Sequence, residues 1–280
     1  MMINKSFSSA KRIAYTKLLG FNSSRIVLII AVCMGLSIMF ANSLSMFFNL
    51  NYSAYELVIY NSQEILHILF IYVFVLLIIS GDFSYKRDKW EYAVMLRSSS
   101  LKSWFLGHVM YIFLCSLFLI ILQLITDTFA ACLFNGVSAA FSNTYNKWVF
   151  DFSIMPQGMV AKISPLPLML IAEGLLLLRY FFWGLVIFFV SSRTKHTYFG
   201  GIIVIAISGV EWATYQVLTL LTDIQHSLYI LPIEHNMLRR MVISNVATPE
   251  RIPIIFSYLY WFLLTAVLML FTWRSIKRSD

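Results

Sequence analysis

The stretch Leu168-Met169-Leu170-Ile171-Ala172-Glu173-Gly174-Leu175-Leu176-Leu177-Leu178-Arg179-Tyr180-Phe181-Phe182-Trp183-Gly184-Leu185-Val186-Ile187-Phe188-Phe189-Val190 carries only two charged residues, Glu173 and Arg179. A helix needs about 20 predominantly apolar residues to cross the roughly 30 Å hydrocarbon core of a bilayer, and this stretch is long enough. Ile26–Phe48, Ile65–Gly81, Trp104–Thr126, Tyr198–Leu221 and Ile254–Trp273 have the same character. The sequence therefore predicts an all-α polytopic membrane protein with six transmembrane helices. Composition agrees: 60% of the 280 residues are hydrophobic and 12% are charged. That is half the roughly 25% charge of average soluble domains, too little to cover an apolar core with polar surface. Cys33, Cys115 and Cys132 lie in apolar or near-apolar segments without metal-ligand spacing, so neither a zinc knuckle nor a disulfide framework is expected.

In such a chain a net charge of +8 reports lysine and arginine held in the cytoplasm rather than a nucleic-acid partner. With the N-terminus inside, the inner segments hold Lys5, Lys11, Arg12, Lys17 and Arg25, then Lys86, Arg87, Lys89, Arg97 and Lys102, then Arg193 and Lys195, then Arg274, Lys277 and Arg278. The outer segments hold only Lys147, Lys162, Arg239, Arg240 and Arg251. This bias predicts cytoplasmic placement of both termini. The first apolar run begins too late and runs too long for a signal peptide, so an uncleaved anchor is expected.

The predicted organisation is a cytoplasmic amphipathic segment at 1–25, a membrane domain at 26–273 and a cytoplasmic tail at 274–280. External loops are expected at 49–64, 127–167 and 222–253, with a cytoplasmic loop at 82–103. Within 1–25, Phe7, Ala10, Ala14, Leu18 and Phe21 recur at three- and four-residue steps and share a helical face. Cations flank that face, so the segment reads as a helix lying in the headgroup layer; a solvated positive-inside tail is the alternative. The loop 82–103 is longer than a turn requires. Its charges alternate with Phe83, Tyr85, Trp90, Tyr92, Val94, Met95 and Leu96, and Phe83, Trp90, Ala93 and Val94 fall on one helical face. It reads as a short helix below the membrane that docks either on another protein or on its own bundle. Ser98-Ser99-Ser100 supplies hydroxyl caps for the third span.

Three ionisable residues lie inside the spans: Glu173, Arg179 and Glu211. Charges at this depth are costly and face a partner or a wet cavity. The fourth and fifth spans run antiparallel across a short turn, which puts Arg179 and Glu211 at similar depth and predicts a buried pair. Glu173 lies about 9 Å of helical rise nearer the outside. A fixed internal ion pair and a lining of the substrate route are both compatible with these positions. No H-E-x-x-H occurs, and none of the eleven glycines precedes a lysine, so there is neither a zincin site nor a Walker A loop. No catalytic constellation is expected in this chain, and no cofactor or metal site.

Six spans with cytoplasmic ends, an amphipathic N-terminal helix and a charged helical loop after the second span together resemble the permease subunits of ABC-2 type transporters. The most specific part is Asp88-Lys89-Trp90-Glu91-Tyr92-Ala93-Val94-Met95-Leu96-Arg97-Ser98-Ser99-Ser100-Leu101-Lys102, followed by Leu106-Gly107-His108. The family's common Gly-Thr is absent, its usual proline is replaced by serine around Ser98 or Ser99, and His108 stands where lysine is common.

The resemblance implies a permease for a peptide, drug, lipid or similar substrate in a bacterial cell membrane. It is not itself an enzyme, since ATP and Mg would bind a separate ABC ATPase subunit. Asp88, Trp90, Glu91, Tyr92, Val94, Leu96 and Arg97 would form the coupling helix, and 1–25 the elbow helix. A second permease copy or a sister permease would complete the route, with Gly35, Gly201, Ser208 and Gly209 on the dimer face, because small residues let helix backbones pack closely. Membrane lipids are the other expected partner. A self-contained secondary transporter or channel, or a membrane immunity protein acting without an ATPase, is the alternative.

Overall fold

The computed structural model describes residues 2–19, 23–46, 52–63, 100–134, 141–142, 164–194, 197–220, 235, 241–242 and 252–279. Seven helices occur among these residues: α1 (Met2–Leu19), α2 (Ser23–Met46), α3 (Ala54–Gln63), α4 (Leu101–Phe134), α5 (Pro165–Thr194), α6 (Thr197–Leu220) and α7 (Ile254–Ser279). Two short strands, β1 (Met241–Val242) and β2 (Ile252–Pro253), pair in parallel. Helices α2, α4, α5 and α7 are long and apolar enough to cross a membrane, and α6 contains the shorter apolar stretch Phe199–Glu211. The expected second span, Ile65–Gly81, and most of the loop 82–103 lie outside the described residues.

Helices α4 and α5 pack against each other and carry the rest. α1, α2 and α3 lie on α4, α3 also reaches α5, and α6 and α7 lie on α5. The distribution of side chains is the reverse of a soluble protein. Phe113, Phe118, Ile121, Ile125 and Phe129 of α4 and Phe262, Leu263, Leu270 and Phe271 of α7 face outward, whereas Ser37, Asn61, Gln123, Asp127 and Glu173 are buried. Soluble monomers rarely expose apolar patches beyond a few hundred Å². The outward faces of these helices require lipid, and the chain is a membrane protein.

Two elements differ from the sequence expectation. The sequence places the third span at Trp104–Thr126 and an external loop from Asp127. Instead α4 is 34 residues long, about 51 Å at 1.5 Å per residue, and continues to Phe134. Asp127 is held by hydrogen bonds from other helices, so the chain need not leave the helix to hydrate it. Phe129-Ala130-Ala131-Cys132-Leu133-Phe134 then resumes the apolar pattern before Asn135-Gly136, a helix-stop pair.

The second difference is α3, which occupies the segment 49–64 expected as an external loop. Ser53-Ala54-Tyr55-Glu56 forms a capping box. The Glu56 backbone N–H donates to Ser53 Oγ at 3.3 Å, and the Ser53 N–H donates to Glu56 Oε2 at 2.6 Å. Glu56 Oε1 accepts from both the N–H and the hydroxyl of Ser142 at 3.0 Å, tying α3 to the chain beyond α4. Burial pushes the Glu56 carboxyl above its ordinary range, outweighing hydrogen bonds that favour its charged form.

Helix α5 starts at Pro165, where a proline at the first helical position sacrifices no hydrogen bond. Ser100 caps α4, its Oγ accepting from the Ser103 N–H at 3.1 Å.

Helix α1 is seated on the Leu101 end of α4 through Ala10, Ile13, Ala14 and Lys17, all buried. Phe7, expected on the same face, overhangs it and is 57% exposed. The contact depends on Gly107. A Cβ there would lie 2.9 Å from Ile13 Cβ and Cγ2 and 3.1 Å from the Ala10 carbonyl oxygen. One turn further along α4, the Lys17 ammonium sits 5.8 Å from the Tyr111 ring centroid, a cation–π contact. Gly107→Leu should therefore overpack the contact at a cost of about 1–3 kcal/mol and lift α1 from α4. Trypsin cleavage of the purified protein after Lys11 and Arg12, both exposed, should accelerate in that variant. An unchanged cleavage rate would show that α1 is not held there.

Candidate functional site

The charged groups inside the bundle are placed by the hairpin of α5 and α6. Gly200 of α6 crosses α5 so closely that a Cβ would lie 2.9 Å from Ile187 Cα and from the Ile187 carbonyl oxygen. From that crossing the helices run antiparallel. Arg179 Nη2 meets Glu211 Oε2 at 3.2 Å, with the side chains only 3% and 7% exposed. A buried ion loses its hydration, and only a partner of opposite charge in good geometry offsets that loss.

A second group of polar side chains lies between α4 and α5. The Tyr180 hydroxyl on α5 donates to Gln123 Oε1 on α4 at 3.4 Å. One turn along α4 from Gln123 comes Asp127, which is fully buried. Its Oδ1 accepts from Ser37 Oγ of α2 at 2.6 Å and from Asn61 Nδ2 of α3 at 2.7 Å. Glu173 precedes Tyr180 by two turns on the same face of α5. It is 3% exposed, and neither carboxylate oxygen has a hydrogen-bond partner. Asp127 and Tyr180 are both within electrostatic range of it.

The structure thus brings Arg179 and Glu211 together and leaves Glu173 out of that pair. Sequence reasoning missed Asp127, Gln123, Ser37 and Asn61. The available signal was the four-residue spacing of Gln123 and Asp127, which places both on one face if the helix continues past Thr126.

The residues expected on a dimer face separate into two kinds. Gly201 and Ser208 are buried within the chain, as is Gly200 at its crossing. Gly35 and Gly209 have open space where a Cβ would stand. The coupling residues Asp88, Trp90, Glu91, Tyr92, Val94, Leu96 and Arg97 lie outside the described residues. His108, at the position where the resembled family commonly has lysine, is buried. It stacks on Phe188 with centroids 5.0 Å apart, and its Nδ1 lies 3.0 Å from the Trp104 carbonyl oxygen. Comparison of the chain with protein families, with curated proteins and with solved structures returns no match.

Proposed function

We propose that the chain is the membrane-spanning permease subunit of an ABC exporter, moving a peptide, drug, lipid or similar substrate out of the cytoplasm. In this reading ATP and Mg bind a separate ATPase subunit, and a second permease copy or sister permease completes the route. The protein sits in the cell membrane with six spans and both termini in the cytoplasm. The observation that supports it best is the seating of α1 across α4 at Gly107. Gly107 belongs to the Leu106-Gly107-His108 entry that follows the charged loop 82–103. The N-terminal helix and the end of that loop therefore meet at one end of the bundle, where a push on the loop reaches α1 and α4 together.

The test is co-expression with a Walker-containing ATPase encoded beside this chain. The two should co-purify, and ATP hydrolysis should respond to the permease. A chain that transports alone, as a monomer and without an ATPase, would replace this reading with the second one, a self-contained secondary transporter. The unpartnered Glu173 inside the bundle favours that second reading, because intramembrane carboxylates recur in ion-coupled transporters.

A further inference from the structure

Glu173 presents a charge problem that the exporter reading leaves open. A carboxylate without hydrogen bonds or a counter-charge is prohibitively costly in a dry interior, so the group must acquire a partner or lose its charge. The charged and titratable neighbours can be followed helix by helix. On α5 itself, the Arg179 guanidinium is turned to Glu211 of α6, and the Tyr180 hydroxyl is given to Gln123. On α4, Asp127 brings more negative charge, and its Oδ2 has no hydrogen-bond partner either. On α7, Tyr258 abuts Gly174 but donates its hydroxyl to the Ile171 carbonyl at 3.1 Å. On α2, Cys33 is a buried free thiol. On α3, Glu56 is already bonded to Ser53 and Ser142. None of these brings a positive charge to Glu173.

We propose that Glu173 is an intramembrane proton-binding site: it stands on α5 as a buried, neutral carboxylic acid without a hydrogen-bond partner, and exchanges its proton when α4 and α5 separate. A proton is the cation that fits, because it needs no cavity and no coordination shell. A metal ion requires several ligands, and among the described residues no group of three or more His, Cys, Asp or Glu could hold one. Acids in unlike surroundings take unlike protonation states. Asp127 receives two short hydrogen bonds, and Glu173 receives none.

Two turns along α5 from Glu173, the Tyr180 hydroxyl reaches Gln123 of α4 through a long bond, 3.4 Å. Separation of α4 and α5 as far as Glu173 would admit water to the carboxyl. The carboxylic O–H then breaks, the proton passes to water as hydronium, and the remaining carboxylate is hydrated; closure requires that a proton return first. The inference goes beyond the exporter assignment and holds with or without an ATPase partner.

The test is infrared spectroscopy of the protein in lipid at neutral pH, comparing wild type with Glu173→Gln. The variant should lose a carboxylic-acid C=O band while keeping wild-type thermal stability, since glutamine is a neutral isostere of the acid. Wild-type protein should also be modified at Glu173 by a hydrophobic carbodiimide, which adds to protonated carboxyls, with the adduct located by mass spectrometry. The adduct does not depend on the variant folding. Loss of a carboxylate band instead, with no adduct on wild type, would overturn the proposal. So would a wild-type thermal stability that rises with sodium at fixed ionic strength and fails to do so in Glu173→Gln, because the charge would then be met by an alkali cation. A failure of ATPase co-purification would leave this result untouched.

Discussion

Glu211→Gln and Arg179→Gln should each destabilise the bundle by roughly 3–5 kcal/mol, the usual cost of removing one partner from a buried ion pair. The reason lies in what each variant leaves behind. Glu211→Gln leaves a guanidinium 3% exposed with no opposing charge, and Arg179→Gln leaves a carboxylate 7% exposed in the same position. Folded domains are stable by only about 5–15 kcal/mol, so either change alone should sharply lower the yield of folded protein. The double variant should be milder than the sum, because a neutral pair has no stranded charge. Unfolding of the single and double variants in lipid, arranged as a double-mutant cycle, measures the coupling. Additive effects would mean that the 3.2 Å contact contributes nothing and that the residues act separately. A double variant that is stable but inactive in transport would assign the pair to the substrate route rather than to the frame.

The contrast between this pair and Asp127 shows what the sequence could reveal. Arg179 and Glu211 sit on consecutive helices, one ending at Thr194 and the next starting at Thr197, so counting residues from those ends fixes their relative depth. Asp127 takes its partners from Ser37 and Asn61, 90 and 66 residues away in sequence. Nothing local distinguishes a carboxylate that starts a loop from one satisfied by distant helices. The capping box of Ser53 and Glu56 was readable from its spacing, but α3 has no long apolar run to draw attention to it. The glycines pose the same difficulty. Gly200 and Gly209 look alike on one helix, yet Gly200 touches the α5 backbone and Gly209 meets open space. Residue type announces close approach without naming the neighbour.

The largest functional effect is expected at the loop that leads into α4. In the exporter reading, Trp90 is the apolar anchor of the coupling helix, flanked by Tyr92, Val94 and Leu96. Tryptophan is enriched among interface residues whose truncation costs 2 kcal/mol or more, so Trp90→Ala should weaken binding of the ATPase by roughly thirtyfold, the equivalent of about 2 kcal/mol. Transport and permease-stimulated ATP hydrolysis should fall with it, while the chain still inserts and folds. Gly107→Leu supplies the discriminating comparison. It acts on the seat of α1 rather than on the docking surface, so it should leave ATPase affinity near wild type and reduce the transport obtained per ATP hydrolysed. If Trp90→Ala changes neither affinity nor transport, the loop packs on its own bundle. The apolar face of Phe83, Trp90, Ala93 and Val94 is then internal, and the ATPase has to dock elsewhere on the chain.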